Sequence, residues 1–351
     1  MESVFIYLLV FLIEYILCTI GYKTKKKLYI ILGMLFLVLF VGFRYEVGTD
    51  YKNYIRVYNE IKNMPLKALF KYEWEIGFKI LFKTISCIFK NEKMIFVFIA
   101  FLNIYPIFKA NELFDYKYLS FSILLFCFLF LPFCMNGMRQ GVAMSYILYS
   151  TLLLLKGYKK ESIINIVLAI LFHKSSIIFL PFFIVIYFSN NNYEKTKKRI
   201  IYLSFIISII ILFFLKDIFI NLSIENYSSY VNKIKVENVS LRSLILHIPI
   251  ITIILLSITK DRLAQILKSI MITGYIFTVV GTSAQYVGRI ATFFTFFEIM
   301  LIPYIVSNIK EKNTKIFIVS LLLIYIAIYF IYLYYILGYQ EIMPYKNWLF
   351  M

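Results

Sequence analysis

Residues 118–156, YLSFSILLFCFLFLPFCMNGMRQGVAMSYILYSTLLLLK, contain two apolar runs on either side of a short polar turn. A membrane-spanning helix needs about 20 consecutive apolar residues, and the runs 118–135 and 138–156 come close to that length. Arg139 and Gln140 stand where the runs meet. Ionisable residues at such a depth must pair or face an aqueous cavity. The stretch therefore predicts two consecutive membrane helices with a polar site between them.

The composition extends this interpretation to the whole chain of 351 residues. Hydrophobic residues make up 62% and charged residues 16%, whereas soluble domains carry about 25% charged residues. A disordered chain, a disulfide scaffold and a soluble Rossmann or TIM-barrel enzyme are excluded. We predict an all-α, polytopic transmembrane bundle of about 10–12 membrane helices, including short re-entrant or interfacial segments. Residues 1–351 are expected to form a single integral membrane domain.

Apolar runs place the predicted spans at residues 3–21, 28–43, 94–108, 118–135, 138–156, 200–220, 243–259, 264–284, 289–307 and 316–337. The first run is interpreted as a retained span and not as a cleaved signal peptide. Residues 76–90 carry Lys79 and Lys83 on one helical face, which favours an interfacial or half-depth helix. Residues 161–188 suit either two short helices folded as a hairpin or one long broken helix.

Charge sets the predicted orientation. Lys and Arg number 37 against 19 Asp and Glu, and basic runs hold cytoplasmic loops in place. Five basic runs fall on the cytoplasmic side of the membrane if residues 76–90 do not span it and residues 161–188 form a hairpin. Both termini and an extracytoplasmic loop, 44–93, then lie outside. The alternative, in which 76–90 spans and 161–188 crosses once, places 156–160 outside. Nucleic-acid binding is not expected, since the basic runs are short and separated by apolar spans.

Five polar clusters interrupt the apolar pattern. Arg44 and Asp50 follow the second span. A guanidinium matches phosphate oxygens, and Asp50 can take a proton, orient a sugar hydroxyl or pair with Arg44. The alternative for this cluster is a surface salt bridge at a helix end.

The second cluster, Trp74 and Glu75, precedes residues 76–90. Trp74 suits a membrane anchor or a sugar platform, and Glu75 suits a helix cap.

The other three clusters contain Arg139 with Gln140, His173 and Arg289. His173 interrupts an apolar stretch with the side chain best suited to proton transfer near neutral pH, although a lone buried histidine is often structural. Arg289 at a membrane face suits either a lipid headgroup or a substrate phosphate. His247 is interpreted as structural. Two distant histidines and four cysteines without a CxxC pair predict no metal site, and no nucleotide motif is found.

Taken in order, these clusters resemble the EpsG-type polysaccharide polymerases, relatives of the Wzy O-antigen polymerases. The matching segments are FRYEVGTDYKNY from Phe43, Glu75-Ile76-Gly77-Phe78 with Ile76 where proline is usual, Met138-Arg139-Gln140, His173-Lys174-Ser175-Ser176 and Gly288-Arg289-Ile290.

The resemblance implies polymerisation of undecaprenyl-diphosphate-linked oligosaccharide repeat units into an exopolysaccharide, capsule or O-antigen. The reaction would take place at the outer face of the bacterial cytoplasmic membrane, without metal, nucleotide or other cofactor. A chain-length regulator and a flippase are the implied protein partners. On this basis the predicted catalytic residues are His173, Asp50 and Glu75, the diphosphate-binding residues Arg44, Arg139 and Arg289, and the sugar-binding residues Trp74, Gln140 and Tyr51.

Three alternatives stay open at this point. An O-antigen-ligase-like transferase would use the same lipid-linked donor with another acceptor. A lipid-linked-oligosaccharide flippase would need polar residues along a central path, whereas the polar residues here gather toward one face. A structural membrane partner without activity would tolerate alanine at Arg139 and His173.

Overall fold

The computed structural model describes residues 2–189, 194–207, 241–259, 261–281 and 285–349, with the backbone alone for residues 241–245, 280–281 and 285–287. Within these ranges the chain is helical and contains no strand, which confirms the all-α class. The helices are α1 Glu2–Thr24, α2 Lys27–Gly42, α3 Tyr51–Lys62, α4 Leu66–Leu69, α5 Ile76–Ile88, α6 Met94–Glu112, α7 Leu119–Asn136, α8 Met138–Leu155, α9 Lys159–Phe172, α10 Leu180–Tyr187, α11 194–207, α12 Leu241–Leu256, α13 Arg262–Gly281, α14 Gln285–Thr295, α15 Glu298–Ser307 and α16 Lys312–Phe330.

The chain divides into two compact units. The first comprises Met1–Ile177 and Ile309–Met351, and the second comprises Ile178–Asn308. In the first unit α1 packs against α2 and α7, α6 packs against α2 and α8, and α9 packs against α8 and α5. In the second unit α13 packs against α14 and α15. The single domain predicted over residues 1–351 stays a prediction.

Five helices in the described part of the chain are long and apolar enough to cross a membrane: Glu2–Thr24, Met94–Glu112, Leu119–Asn136, Gly288–Ser307 and Lys312–Ile336. Lys27–Gly42, Lys174–Tyr187 and Leu246–Leu256 are shorter apolar segments. These helices fit a multi-pass membrane protein. The predicted span 200–220 is helical to residue 207, and the remainder lies outside the described residues.

The helix α7 is the most enclosed of the five, with 83% of its apolar window buried, whereas only 22% is buried in Lys312–Ile336. The outward side chains of the latter are large and apolar, as lipid-facing residues are. Within α7 the backbone widens to a π-helix over Phe126–Phe130, immediately before Pro132. A proline cannot donate a backbone hydrogen bond and disturbs the preceding turn. The helix that ends beside the polar turn is thus a central, buried one.

The loop 44–93 folds into the helices α3, α4 and α5. The two lysines of α5 bind carbonyls that end the preceding helices: Lys79 Nζ donates to Phe70 O (3.2 Å) and Tyr72 O (2.9 Å), and Lys83 Nζ donates to Lys62 O (2.9 Å) and Met64 O (2.8 Å). Lysine ammonium groups commonly satisfy such C-terminal carbonyls. These contacts join α5 to the turns before it.

The predicted segment 161–188 is interrupted in its middle. The helix α9 ends at Phe172, His173 is extended (φ −154°, ψ 111°), and a 3₁₀ turn runs over Lys174–Phe179 before α10 begins. The chain therefore breaks the helix at the His-Lys-Ser-Ser sequence, as both alternatives for this segment required.

Candidate active site

Glu75 joins two residues that are distant in sequence. Its Oε2 accepts a hydrogen bond from Arg139 Nη1 at 2.5 Å, and its Oε1 lies 3.1 Å from His173 Nδ1. The carboxylate side chain is 8% exposed, whereas the Arg139 and His173 side chains are 31% and 19% exposed. A buried carboxylate thus holds two partners that reach the surface of the first unit.

Each of the three residues stands at a helix end. Glu75 precedes α5, Arg139 is the second residue of α8, and His173 follows α9. Although Glu75 has the N-cap position of α5, its side chain makes no capping hydrogen bond. Glu75 therefore stands at the start of α5, as the sequence suggested, but both of its carboxylate oxygens are turned to Arg139 and His173 and not to the helix N–H groups.

The surroundings of Glu75 fix its protonation state. Burial raises its pKa, but the hydrogen bond from His173 and the charge of Arg139 outweigh burial and lower the pKa to about 2. The group is therefore a carboxylate at neutral pH, and the nitrogen facing it, His173 Nδ1, carries a proton. In a neutral imidazole the lone pair then lies on Nε2. A general base works best with a pKa near the operating pH, so Glu75 fits the orienting role better than the accepting one.

Trp74 and Tyr54 form an aromatic side of the same cluster. The guanidinium carbon of Arg139 lies 4.3 Å from the Trp74 ring centroid, a cation–π geometry. The Tyr54 ring meets Trp74 edge-on at 5.3 Å, and the backbone N–H of Arg139 donates to Tyr54 Oη at 3.4 Å. The sequence analysis assigned Tyr54 no role, although its position one turn after Asp50 in the same motif was a usable signal.

Asp50 lies at the edge of this cluster, at the N-cap position of α3, and is half-buried. Burial raises the pKa of Tyr54, the charge of Arg139 lowers it and the charge of Asp50 raises it. The charges of Asp50 and Arg139 therefore both influence the Tyr54 hydroxyl, in opposite directions. The structure brings four predicted residues, Glu75, Arg139, His173 and Trp74, into direct contact, with Asp50 beside them.

Arg44 has a different environment from Arg139. Its side chain is buried, and the residue is 1% exposed. Nη1 donates to Val41 O (2.8 Å), Nη2 to Met135 O (2.8 Å) and Nε to Val47 O (3.3 Å), and the guanidinium lies 4.8 Å from the centroid of Phe96. Burial lowers its pKa to about 10, so it stays charged at neutral pH. The surface salt-bridge interpretation was wrong, and a diphosphate would reach Arg44 only if these bonds opened.

Asn136 belongs to the same polar turn as Arg139, but the sequence analysis assigned it no role. Its Oδ1 accepts hydrogen bonds from Thr49 Oγ1 (3.1 Å) and from the Asp50 backbone N–H (3.3 Å), and its Nδ2 donates to Gln340 O (2.9 Å). Gly48, at φ +98°, lies so close that a Cβ there would come within 2.5 Å of Asn136 Oδ1. One buried amide thus fixes the Asp50 turn to the end of α7 and to the C-terminal segment.

Two predicted sugar contacts are buried. Tyr51 is 5% exposed and stacks on Phe96 with ring centroids 4.2 Å apart, and Gln140 is also 5% exposed. Next to Gln140, α6 and α8 approach closely at Gly141, where a Cβ would lie 2.4 Å from Asn103 Nδ2. Trp74, by contrast, is half-buried. Their sugar-binding role stays a prediction.

Arg289 and His247 belong to the second unit. Arg289 lies on α14 with an exposed side chain, and its diphosphate-binding role stays a prediction. The His247 ring packs beside Tyr275 at 6.0 Å, and Tyr275 Oη donates to the buried Glu298 Oε1 at 2.7 Å. Glu298 was not singled out from the sequence, although a lone carboxylate in an apolar run is a signal.

Among the residues that the structure describes, no three His, Cys, Asp or Glu side chains gather in a way that would hold a metal ion. Comparison with curated proteins and with solved structures gives no match. The family model of the EpsG family matches residues 26–347, nearly the whole chain. That range includes Arg44, Glu75, Arg139, His173 and Arg289. The chain therefore belongs to the EpsG family, and this membership implies a polysaccharide polymerase-type role.

Proposed function

We propose that this protein polymerises oligosaccharide repeat units carried on undecaprenyl diphosphate. The observation that supports the proposal most is the bridging of Arg139 and His173 by Glu75, from segments 64 and 98 residues away in sequence. A cation and a proton acceptor held by one carboxylate suit a transfer in which an anion leaves as a hydroxyl attacks. The reaction belongs to the glycosyltransferases.

The proposed step is a single displacement. An acceptor hydroxyl transfers its proton to His173 Nε2 while its oxygen bonds to the anomeric carbon of the donor glycan. The bond between that carbon and the lipid diphosphate breaks, and the diphosphate leaves with the electron pair. Glu75 holds the imidazole in the required tautomer and stabilises the imidazolium that forms, as a carboxylate does beside a catalytic histidine.

Arg139 is proposed to stabilise the charge that develops on the leaving diphosphate. A guanidinium offers a planar, permanently charged fork to phosphate oxygens, and its side chain is 31% exposed despite the contact with Glu75. The diphosphate activates the donor, so the step needs neither nucleotide nor metal. Arg44, whose donors bind carbonyls, is assigned a positioning role, and Trp74 is the preferred sugar platform.

We propose that the reaction takes place at the outer face of the bacterial cytoplasmic membrane, as the family resemblance implies. The lipid bilayer itself, a flippase that delivers the donor and a chain-length regulator are the proposed partners. The cation and the proton acceptor lie at helix ends, which suits chemistry at headgroup level.

The test uses the purified protein in lipid with undecaprenyl-diphosphate-linked repeat units and no added nucleotide or metal. We expect a ladder of products from the native protein. Removal of a general base lowers rates by about 10²–10⁴-fold, so His173→Ala should lose the ladder, whereas Asp50→Asn should keep most of it. Loss in Asp50→Asn with an intact ladder in His173→Ala would move the base to Asp50.

The rivals give different results in the same assay. Transfer of a finished glycan to another acceptor, without a ladder, would identify a ligase-like transferase. Intact lipid-linked units crossing the bilayer, with no ladder, would identify a flippase. Unchanged activity in Arg139→Ala and His173→Ala would overturn the proposed site.

A further inference from the structure

The helix α5, which begins directly after Glu75, turns apolar side chains outward. Ile80 and Ile88 are 53% and 66% exposed. The charged groups of the helix, Lys79 and Lys83, are bonded to carbonyls of the preceding turns. The usual order of a surface helix, with lysines toward water and isoleucines toward the core, is therefore reversed here. The outer face of α5 suits an apolar partner.

The helix α9, which ends directly before His173, has a similar outer face. Ile164, Val167 and Leu171 are 59%, 47% and 38% exposed, and their spacing of three and four residues places them on one side of the helix. Another side packs against α8, where Ser162 Oγ donates to Ser150 O at 2.8 Å. The open side of α9 is thus a continuous apolar stripe.

The two apolar faces meet beside the candidate site. Gly77 lies on the same face of α5 as Ile80, three residues later. A Cβ at Gly77 would lie 2.8 Å from Leu171 O, so the first turn of α5 crosses the last turn of α9 at this point. Glu75 stands two residues before this crossing and His173 two residues after it, and the two side chains are in contact. Both faces therefore extend away from the Glu75–His173 pair.

This arrangement suits an amphiphilic ligand. Charged and proton-carrying side chains lie at the crossing, and apolar surface extends from it for about 16 Å along α5 and about 10 Å along α9, at 1.5 Å per residue. The hydrocarbon layer of one leaflet is about 15 Å deep. An ordinary acyl chain contacts any exposed apolar face, but these two faces differ from others because they converge where the polar groups of the candidate site gather.

We propose that the outer faces of α5 and α9, which meet at Gly77 and Leu171, bind the isoprenoid chain of the lipid-linked donor. The inference rests on the proposed function for the identity of that ligand. The chain is covalently joined to the diphosphate, and the diphosphate leaves beside Arg139 in the proposed step. A donor with its diphosphate at the site would therefore have its chain where the two apolar faces begin.

The first experiment locates the chain in the native protein. An undecaprenyl diphosphate with a diazirine in its isoprenoid chain is photolysed with the purified protein in phosphatidylcholine nanodiscs, and labelled peptides are identified by mass spectrometry. We expect label on α5 and α9 that excess undecaprenyl diphosphate removes. The control surface is α16, where Ile316 and Ile328 are 54% and 60% exposed, and label there should not be displaced.

The same experiment separates an isoprenoid site from a surface for ordinary lipid. Excess phosphatidylglycerol should leave the label on α5 and α9 in place. Displacement by phosphatidylglycerol as effective as that by undecaprenyl diphosphate would show that the faces contact bulk lipid, and the proposal would fail. Displaceable label confined to other helices would also overturn it.

The second experiment measures the effect of the chain on donor use. Ile80→Trp places a larger ring where the chain would begin. It should raise the KM for the undecaprenyl-linked donor about tenfold, the loss expected when about two methylene groups leave an apolar contact, with a smaller change in kcat. Ile316→Trp is the matched control, because Ile316 has nearly the same exposure on α16, and its KM should equal that of the native protein.

A second donor excludes a general defect of the variant. When the diphosphate carries an ethyl group in place of the isoprenoid chain, native protein and Ile80→Trp should have the same kcat/KM. A KM for the long-chain donor that is equal in Ile80→Trp and Ile316→Trp would reject the isoprenoid site. An equal loss with both donors would do the same, because the variant would then disturb the polar site itself.

The two proposals fail in different ways. Displaceable label on α5 and α9 without any product ladder would keep the isoprenoid site and reject the polymerase. A product ladder with displaceable label only on other helices would keep the polymerase and reject the isoprenoid site. Labelling uses the native protein, so this distinction stands even where Ile80→Trp does not fold.

Discussion

Arg44 and Arg139 both lie beside the end of an apolar helix, and the chain uses the two guanidinium groups in different ways. Arg44 is 1% exposed and binds three backbone carbonyls and the face of Phe96. Arg139 binds a carboxylate and the face of Trp74, and its side chain is 31% exposed. One arginine is enclosed by the fold, and the other keeps part of its surface accessible.

The difference lies in the partners. Backbone carbonyls are fixed by the helices and turns that contain them, so Arg44 holds the end of α2, the Asp50 turn and the end of α7 in one arrangement. A side-chain carboxylate can share its charge, and Glu75 shares it between Arg139 and His173. The partner of Arg139 thus also contacts the histidine that we propose as the proton acceptor.

The largest effect should follow from Arg44→Ala. The substitution leaves three buried carbonyls unpaired and opens a cavity, and such changes cost about 3–5 kcal/mol of the free energy of unfolding. We expect loss of folded protein, measured as thermal unfolding in detergent. Arg56→Ala is the control, since Arg56 makes an exposed i,i+4 pair with Glu60 worth about 0.5 kcal/mol. A stable Arg44→Ala variant with lost diphosphate binding would reverse the two arginine roles.

Arg139→Lys should separate activity from stability. The charge is kept but the fork is lost, and removal of one donor that stabilises developing charge lowers kcat about 10²–10³-fold. We expect that loss in the product ladder, with an unfolding temperature close to that of the native protein. Equal unfolding losses in Arg139→Lys and Arg44→Lys would remove the distinction between the two sites.

Helix placement could be predicted from the sequence better than side-chain environment. Apolar runs located α1, α7, α8 and the helix ending at Ile336, because a long apolar run must be buried, either in lipid or inside the protein as α7 and α8 are. The interfacial or half-depth position inferred from Lys79 and Lys83 for residues 76–90 stays a prediction. Their carbonyl partners could not be foreseen, because every residue carries a carbonyl and the sequence does not show which ones end a helix nearby.

The candidate site shows the same contrast between what the sequence predicts and what only the packing determines. Glu75, Arg139 and His173 each stand out singly, since charge in apolar sequence is costly. Their convergence depends on the packing of α5, α8 and α9, which no spacing encodes. Glu14 is likewise a charged residue in an apolar run and is fully buried in α1. It was not singled out from the sequence.

Stability should depend on pH through Glu75. Its pKa falls from an ordinary value of 4.5 to about 2 in the folded protein, so the ionised carboxylate stabilises the folded state above pH 4.5, by about 3 kcal/mol. That contribution declines as the pH falls from 4.5 toward 2. The difference in unfolding free energy between native protein and Glu75→Gln should shrink over this range. A constant difference would show that the carboxylate is not held by Arg139 and His173.

The smallest effect concerns the turn that Arg44 and Asn136 organise. Gly48 and Gly157 both have positive φ, +98° and +93°, but an added Cβ meets Asn136 Oδ1 at 2.5 Å only at Gly48 and meets nothing within 4 Å at Gly157. Both alanine variants carry the conformational strain of about 1 kcal/mol. Gly48→Ala must also displace the Asn136 amide from Thr49 and Asp50, which we expect to add about 1 kcal/mol. Thermal unfolding measures that excess. Equal destabilisation of the two variants would mean that the turn tolerates movement of Asn136, and the Arg44 region would then be less rigid than its carbonyl contacts require.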